Sequence, residues 1–248
     1  MWDKKTPAEI AKLKAGGKIL SEVLAEVASR VRPGITGFEL NQLAEDLIKK
    51  AGGQPAFKNY RKYPFALCVS INQTVVHGLP NKEPFQEGDI VGLDLGLKYQ
   101  GFYTDMAVTV PVGKISKAAT QLLAVTQKSL EIGLSQLGPD KTLDEIGRAI
   151  EKYVKPFGYS MVRDLAGHGV GRAVHEDPLV PNYDTGHKMP KMFPGLVLAI
   201  EPMVLMGRDF RVYIDDDKWS VNSLDHSLAA HFEHTAVVTE DGYEILTK

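Results

Sequence analysis

The chain has 248 residues, 44% hydrophobic and 24% charged, with a net charge of −2 and a single cysteine, Cys68. That length supports one large domain or two small ones, and the balanced charge gives no general attraction to nucleic acid or acidic membranes. One cysteine excludes an internal disulfide and a Cys-rich zinc site, and no apolar run approaches the ~20 residues needed to span a bilayer. With no signal-peptide core after Met1-Trp2-Asp3-Lys4-Lys5, a reduced, cytoplasmic setting is expected.

Thr6-Pro7-Ala8-Glu9 combines an N-cap, a Pro at the first helical position and the acid of a capping box. Ile10, Leu13, Ile19, Leu20, Val23, Leu24, Val27 and Val31 continue as a helical stripe, which predicts a helix over 6–31. A second helix starts at Thr36, with Glu39 closing another box, and ends near Gly52-Gly53. Residues 66–110 read as strands with no helix between them. The run Ile90-Val91-Gly92-Leu93-Asp94-Leu95-Gly96 carries one acid. A hairpin-like return through Leu97-Lys98-Tyr99-Gln100-Gly101 leads into 102–110, which carries Asp105.

The same events then recur. A third helix is predicted over roughly 116–136, breaking at Gly138-Pro139, and a fourth from Thr142, with Glu145 three residues on, to about Gly158. Strand patterns resume over 196–247. Leu196-Val197-Leu198-Ala199-Ile200-Glu201-Pro202 carries one acid. After a polar excursion from Gly207 to Asp225, the return Phe232-Glu233-His234-Thr235-Ala236-Val237-Val238 carries another. A shift of 106 overlays Thr36 on Thr142 and Glu39 on Glu145, and a shift of 107 overlays Asp94 on Glu201. The expected fold class is α+β: a single domain over 1–248 whose halves, roughly 1–113 and 114–248, each hold two helices and a curved antiparallel sheet. Alternating helices and strands otherwise suggest a parallel βαβ sheet, but the uninterrupted strand runs argue against it.

Acids in apolar strands need a reason. Isolated carboxylates are almost never fully buried, because desolvation costs several kcal/mol per ion. Neither run has a Lys or Arg beside its acid, so Asp94 and Glu201 point to a shared cation. Asp105 and Glu233, on the returning strands, complete a set of four, and four crowded carboxylates call for two divalent ions. His168, in Ala166-Gly167-His168-Gly169-Val170-Gly171, is the candidate imidazole, its glycines allowing close backbone approach. Taken singly, Asp94 also reads as a turn acid, Asp105 as a strand-end cap and Glu233 as a surface ion-pair partner. Internal symmetry favours the joint reading.

In this order and spacing, the five residues Asp94, Asp105, His168, Glu201 and Glu233 resemble the metal ligands of the methionine aminopeptidases. Tyr63-Pro64, Cys68-Val69-Ser70-Ile71-Asn72, Val76-His77-Gly78, His175-Glu176-Asp177-Pro178 and Glu233-His234-Thr235 carry the likeness over nearly the whole chain. The spacing is similar to the type I enzymes, without a long insertion in the C-terminal half or an N-terminal zinc-finger extension. The resemblance implies the pita-bread fold and removal of N-terminal methionine from nascent polypeptides when the second residue is small. It implies two divalent cations (Co, Mn, Fe or Zn) and attack by a hydroxide held between them. Asp94 would bind one ion, His168 and Glu201 the other, and Asp105 and Glu233 both.

It further implies that Glu201 shuttles the proton and that His77 and His175 contact substrate and stabilise the tetrahedral intermediate. Tyr60, Tyr63, Cys68 and Trp219 would line the methionine pocket. A monomer is expected, and a ribosome contact fits the substrate although no basic patch in the sequence supports one. Three departures bear on the pocket. Phe57 replaces a smaller residue, Val174 stands where Phe is frequent and suggests a more open rim, and His231 stands where Gln is common. His187, His226, His231 and His234 are given no catalytic role. Prolidases and Xaa-Pro aminopeptidases share the fold but carry an extra N-terminal domain, and a catalytically dead binding relative would have lost ligands.

Overall fold

The computed structural model describes residues 2–248. Helix α1 (Pro7–Ser29) starts at Thr6, whose hydroxyl accepts from the Glu9 amide while the Glu9 carboxylate accepts from Thr6 N at 2.8 Å. Helix α2 (Gly37–Lys50) repeats the device with Thr36 and Glu39. Each box satisfies donors that a helix start leaves without partners, which fixes both boundaries. Ser116 caps α3 (Lys117–Ser135). Helix α4 (Asp144–Val154) begins two residues later than Thr142 led us to expect. Glu145 accepts from Thr142 N, but the Glu145 amide donates to the Thr142 carbonyl at 3.1 Å rather than to its side chain. Half a box leaves a turn where the full box would have begun the helix. No described helix is long and apolar enough to cross a membrane.

In chain order the strands are β1 (Gln54–Pro55), β2 (Leu67–Ile71), β3 (Thr74–Val76), β4 (Ile90–Tyr99) and β5 (Phe102–Pro111) in the first half. The second half holds β6 (Ser160–Met161), β7 (Gly167–Gly169), β8 (Glu176–Val180), β9 (Val197–Ile200) and β10 (Met203–Leu205). It continues with β11 (Val212–Ile214), β12 (Val221–Ser223), β13 (Ala229–His231), β14 (Glu233–Thr239) and β15 (Gly242–Ile245). The turn between β4 and β5 is only Gln100-Gly101, both with positive φ (49° and 85°). It is shorter than the five-residue return expected from the sequence. Two positive φ values suit the twist of a tight hairpin, so the strands run up to the turn.

The main sheet has nine strands in the order β1-β4-β5-β14-β9-β7-β8, with β2 also on β4 and β15 on β14. Every pairing in it is antiparallel, which removes the parallel alternative. The pair β4-β5 from the first half meets β14-β9 from the second at the β5–β14 ladder. Leu20, Leu24, Leu40 and Ile48 of α1 and α2 pack with Val91, Leu93, Leu95 and Leu97 of β4. Leu122, Leu130, Ile146 and Ile150 of α3 and α4 pack with Leu198 and Ile200 of β9. Because strand side chains alternate faces, this burial aims Asp94 and Gly96 away from the helices, on the other side of the sheet.

Candidate metal centre

Strand register assembles the acids. Cys68 on β2 pairs with Asp94 on β4, Asp94 with Ala107 on β5, and Ala107 with Glu233 on β14. The β14–β9 register pairs His234 with Ile200, so Glu201, the next residue, falls opposite Glu233. Asp105 lies two residues away on β5, opposite Gly96, and His168 on β7 pairs with Ala199, two before Glu201. Paired residues share a face, so all five side chains project to one side.

The symmetry expected between Asp105 and Glu233 does not hold at the level of register. Opposite Asp94 stands Ala107, where its counterpart Glu201 has Glu233. Opposite Gly96 stands Asp105, where its counterpart Met203 has His231. The returning-strand acids are therefore offset by one same-face step in the two halves. The offset spreads the donors around a volume instead of lining them up along one row.

Donor atoms of Asp105, His168 and Glu233 all lie within 4.8 Å of one another. Glu201 sits between two imidazoles, Oε1 3.5 Å from His168 Nε2 and Oε2 3.5 Å from His231 Nε2. Asp105, Glu233, His168 and Glu201 are 4, 2, 4 and 9% exposed, and Asp94 Oδ1 is buried with no hydrogen-bond partner. Among the described residues, no Lys or Arg forms an ion pair with any of the four carboxylates. Burial pushes Asp94 and Glu201 up to about 7. Burial and like charge hold Asp105 and Glu233 well above the usual carboxylate range. The bare chain must therefore keep protons on acids that a divalent cation would release. Oxygen donors with one imidazole, an orphaned carboxylate oxygen and no basic partner fit a metal of hard to borderline character.

The glycines around His168 have a steric explanation. A Cβ on Gly167 would lie 2.4 Å from the Ala199 carbonyl oxygen, and one on Gly169 would lie 2.4 Å from that of Asp177. Strand β7 is squeezed between β9 and β8, and only glycine lets it present His168 there. His175, just before β8, has its ring centroid 4.2 Å from that of His168 and stacks on Tyr60 at 5.4 Å. Its Nδ1 is 3.1 Å from the Tyr60 hydroxyl. Although His175 keeps an exposed edge, burial of the ring against the cavity wall and the field of His168 lower it to about 3. His77 follows β3 with φ 60°, and burial followed by the influence of His231 lowers it to about 4. Both imidazoles are neutral at pH 7 and available as hydrogen-bond partners.

All of these side chains open on one cavity of about 310 Å³, whose apolar wall includes Phe57, Tyr60, Tyr63, Cys68 and Trp219. Tyr63 packs edge-on against Trp219 at 5.1 Å and donates its hydroxyl to the Gly78 carbonyl at 2.9 Å. Burial and the nearby Asp94 charge hold the Cys68 thiol well above its usual range, so it behaves as a small apolar group. Val174 stands behind the cavity wall. It is 3% exposed, packs with Phe57, Tyr63 and Cys68, and does not line the cavity.

Comparison with known proteins agrees with this geometry. A model of Metallopeptidase family M24 matches residues 11–240. The chain is 43% identical over 244 residues to methionine aminopeptidase 1 of Bacillus subtilis, covering 98% of both. It is 44% identical over 243 residues to the methionine aminopeptidase of Clostridium perfringens, covering 98% of this chain and 97% of the relative. The chain belongs to metallopeptidase family M24, among the methionine aminopeptidases. The crystal structure of the Thermotoga maritima methionine aminopeptidase superposes with a TM-score of 0.97 at 44% identity over the whole of both chains. Prolidase from Pyrococcus furiosus matches at a TM-score of 0.80 and 23% identity, with 65% of that chain covered, a likeness of fold. The family's pita-bread architecture is the one described above.

The cavity of this M24 member also has walls the sequence did not single out: Arg61, Asp164, Leu179 and Met203. Arg61 lies between Tyr60 and Tyr63, and its guanidinium sits over the Tyr60 ring at 5.4 Å. Its position beside two candidate pocket residues was the only sequence signal. Leu179 and Met203 carry none, because their place in the wall depends on how β8 and β10 are curled.

Proposed function

We propose that this chain removes the N-terminal methionine from nascent polypeptides whose second residue is small. The observation that carries the reading is the joint placement of four carboxylates and His168 on one cavity with an apolar, aromatic wall. Relatives above 40% identity along the full length bear the corresponding name. The cavity size suits an unbranched thioether side chain, and its carboxylates suit a peptide amino terminus.

In this reading Asp94, Asp105, His168, Glu201 and Glu233 would hold two divalent cations (Co, Mn, Fe or Zn), with Asp94 serving one, His168 and Glu201 the other, and Asp105 and Glu233 contributing to both. Register supports it, since Glu233 lies between Glu201 and the Ala107–Asp94 row, and Asp105 is one step aside. Such cations, when bound, lower the pKa of a water and polarise the scissile carbonyl. Glu201, ionised beside bound cations, would take a proton and return it to the leaving amine. His77 and His175, neutral imidazoles on the cavity wall, donate N–H hydrogen bonds to the oxyanion as it develops. Phe57, Tyr60, Tyr63, Cys68 and Trp219 orient the methionine side chain and exclude water from it.

The test is methionine release from Met-Ala-Ser after loading with each of the four metals, compared with Met-Leu and Ala-Pro-Ala peptides. Release from Met-Ala-Ser alone is expected. Cleavage of Ala-Pro-Ala in its place, or of nothing by folded, loaded protein, overturns the assignment.

A further inference from the structure

Lys5 is among the largest fully buried side chains of the described residues, 2% exposed. Its Nζ donates to Glu176 Oε2 at 2.5 Å and to Asp3 Oδ2 at 2.7 Å. The other Glu176 oxygen accepts the backbone N–H groups of Arg172 at 2.5 Å and Ala173 at 2.9 Å. One carboxylate thus closes the turn that joins β7 to β8, and one buried ammonium holds that carboxylate. The Arg172 guanidinium pairs with Asp3 and with Glu9 Oε1, the latter at 2.7 Å. On the far side, Tyr103 N donates to the Gly171 carbonyl at 2.7 Å. Lys5 also fills the space beside Gly171, whose φ is 147° and where a Cβ would lie 2.4 Å from Lys5 Cε. The Gly171–Glu176 turn is therefore hung between the N-terminal segment and β5.

A buried lysine is a costly way to fill that space, since a methionine of similar length would need no counter-charge. What the charge adds is a fixed Glu176, and the residue before Glu176 is His175. His175 reaches the cavity from the end of this turn, stacked on Tyr60 and beside His168. We propose that Lys5 is a positioning residue for His175, acting through Glu176 and the turn it closes. The inference rests on the aminopeptidase reading, in which His175 meets the substrate.

The experiment is a double-mutant cycle in the full, metal-loaded chain, crossing Lys5→Met with His175→Ala and measuring kcat and KM on Met-Ala-Ser. Misplacement of a catalytic contact by about 1 Å can cost on the order of a hundredfold. Lys5→Met is expected to lower kcat about ten- to a hundredfold with His175 present and less than about twofold once His175 is gone. KM should move less than kcat, and the Arg172 and Ala173 amides should exchange with deuterium faster. An equal loss in both backgrounds, an unchanged kcat or unchanged amide exchange overturns the proposal. If Lys5→Met does not fold, Glu176→Gln goes through the same cycle, where a loss confined to the His175 background is again required. A wild-type chain that releases no methionine fails the aminopeptidase reading instead, and amide exchange in the variant still decides whether Lys5 holds the turn.

Discussion

Thr235 and Asp105 exchange two hydrogen bonds across the seam between the halves. The Thr235 hydroxyl donates to the Asp105 carbonyl at 2.8 Å and accepts from the Asp105 amide at 2.9 Å. A side chain here takes over from the β5–β14 ladder, which pairs only Glu233 with Ala107 and His234 with Met106. The backbone that carries Asp105 is thus tied to the strand that carries Glu233. Thr235→Val keeps the shape and leaves two buried backbone groups without partners, each worth about 1–3 kcal/mol. We expect a clear drop in Tm and weaker metal binding by titration calorimetry, both largely restored in Thr235→Ser. Unchanged binding in the valine variant would show that the seam does not position Asp105.

Glu201→Gln preserves size but cannot take a proton. We expect kcat to fall at least about a hundredfold, in the range seen for loss of a general acid–base, while circular dichroism of the loaded variant matches wild type. Wild-type turnover in this variant refutes the shuttle role.

Metal removal should couple to pH with a definite sign. In the bare fold Asp94 and Glu201 sit at about 7, against usual values of 3.8 and 4.5. The folded chain then holds more protons than the unfolded one between those limits, so its stability is lost as pH rises through about 7. The chelated protein should melt at lower temperature at pH 8 than at pH 5, by several degrees at this chain length. With metal bound the acids are ionised already, so the gap between loaded and chelated protein should widen as pH rises. A gap that is constant or narrows over that range counts against a buried carboxylate centre.

Gly96 backs the pocket. A Cβ there would lie 2.6 Å from Phe57 Cε1 and 2.8 Å from Ala56 Cβ. Gly96→Ala should overpack this wall at a cost of about 1–3 kcal/mol and push Phe57 into the cavity. KM for Met-Ala-Ser is expected to rise several-fold with kcat less affected, and Gly96→Ala/Phe57→Ala should recover both stability and KM. No recovery in the double variant places the strain elsewhere.

Much of this could be read from the chain. Paired capping boxes set the starts of α1 and α2 because the interaction is local, within three residues. Glycines around His168 signalled a close backbone approach, and the two neighbouring carbonyls supply it. Asp94 and Glu201 were identifiable as anomalies because desolvation makes an unpaired acid in an apolar strand expensive. The start of α4 was set by a competing backbone bond from the Glu145 amide, a choice of acceptor that the residue pattern does not reveal. Thr142 lost half its box to that bond.

The sequence by itself determined which acids carry an uncompensated burial cost, since that cost depends on composition along each strand. Only the tertiary structure decided how they are arranged around one volume. Register across β4, β5, β14 and β9 offsets Asp105 from the place symmetry assigned it and leaves Ala107 and His231 as the true counterparts of Glu233 and Asp105. Register depends on which strands pair and where their turns fall, and a slip of one residue would turn the acids to the other face. In the same way, nothing local to Lys5 indicated a buried charge. Its partner Glu176 lies 171 residues away, and folding alone brings the two together.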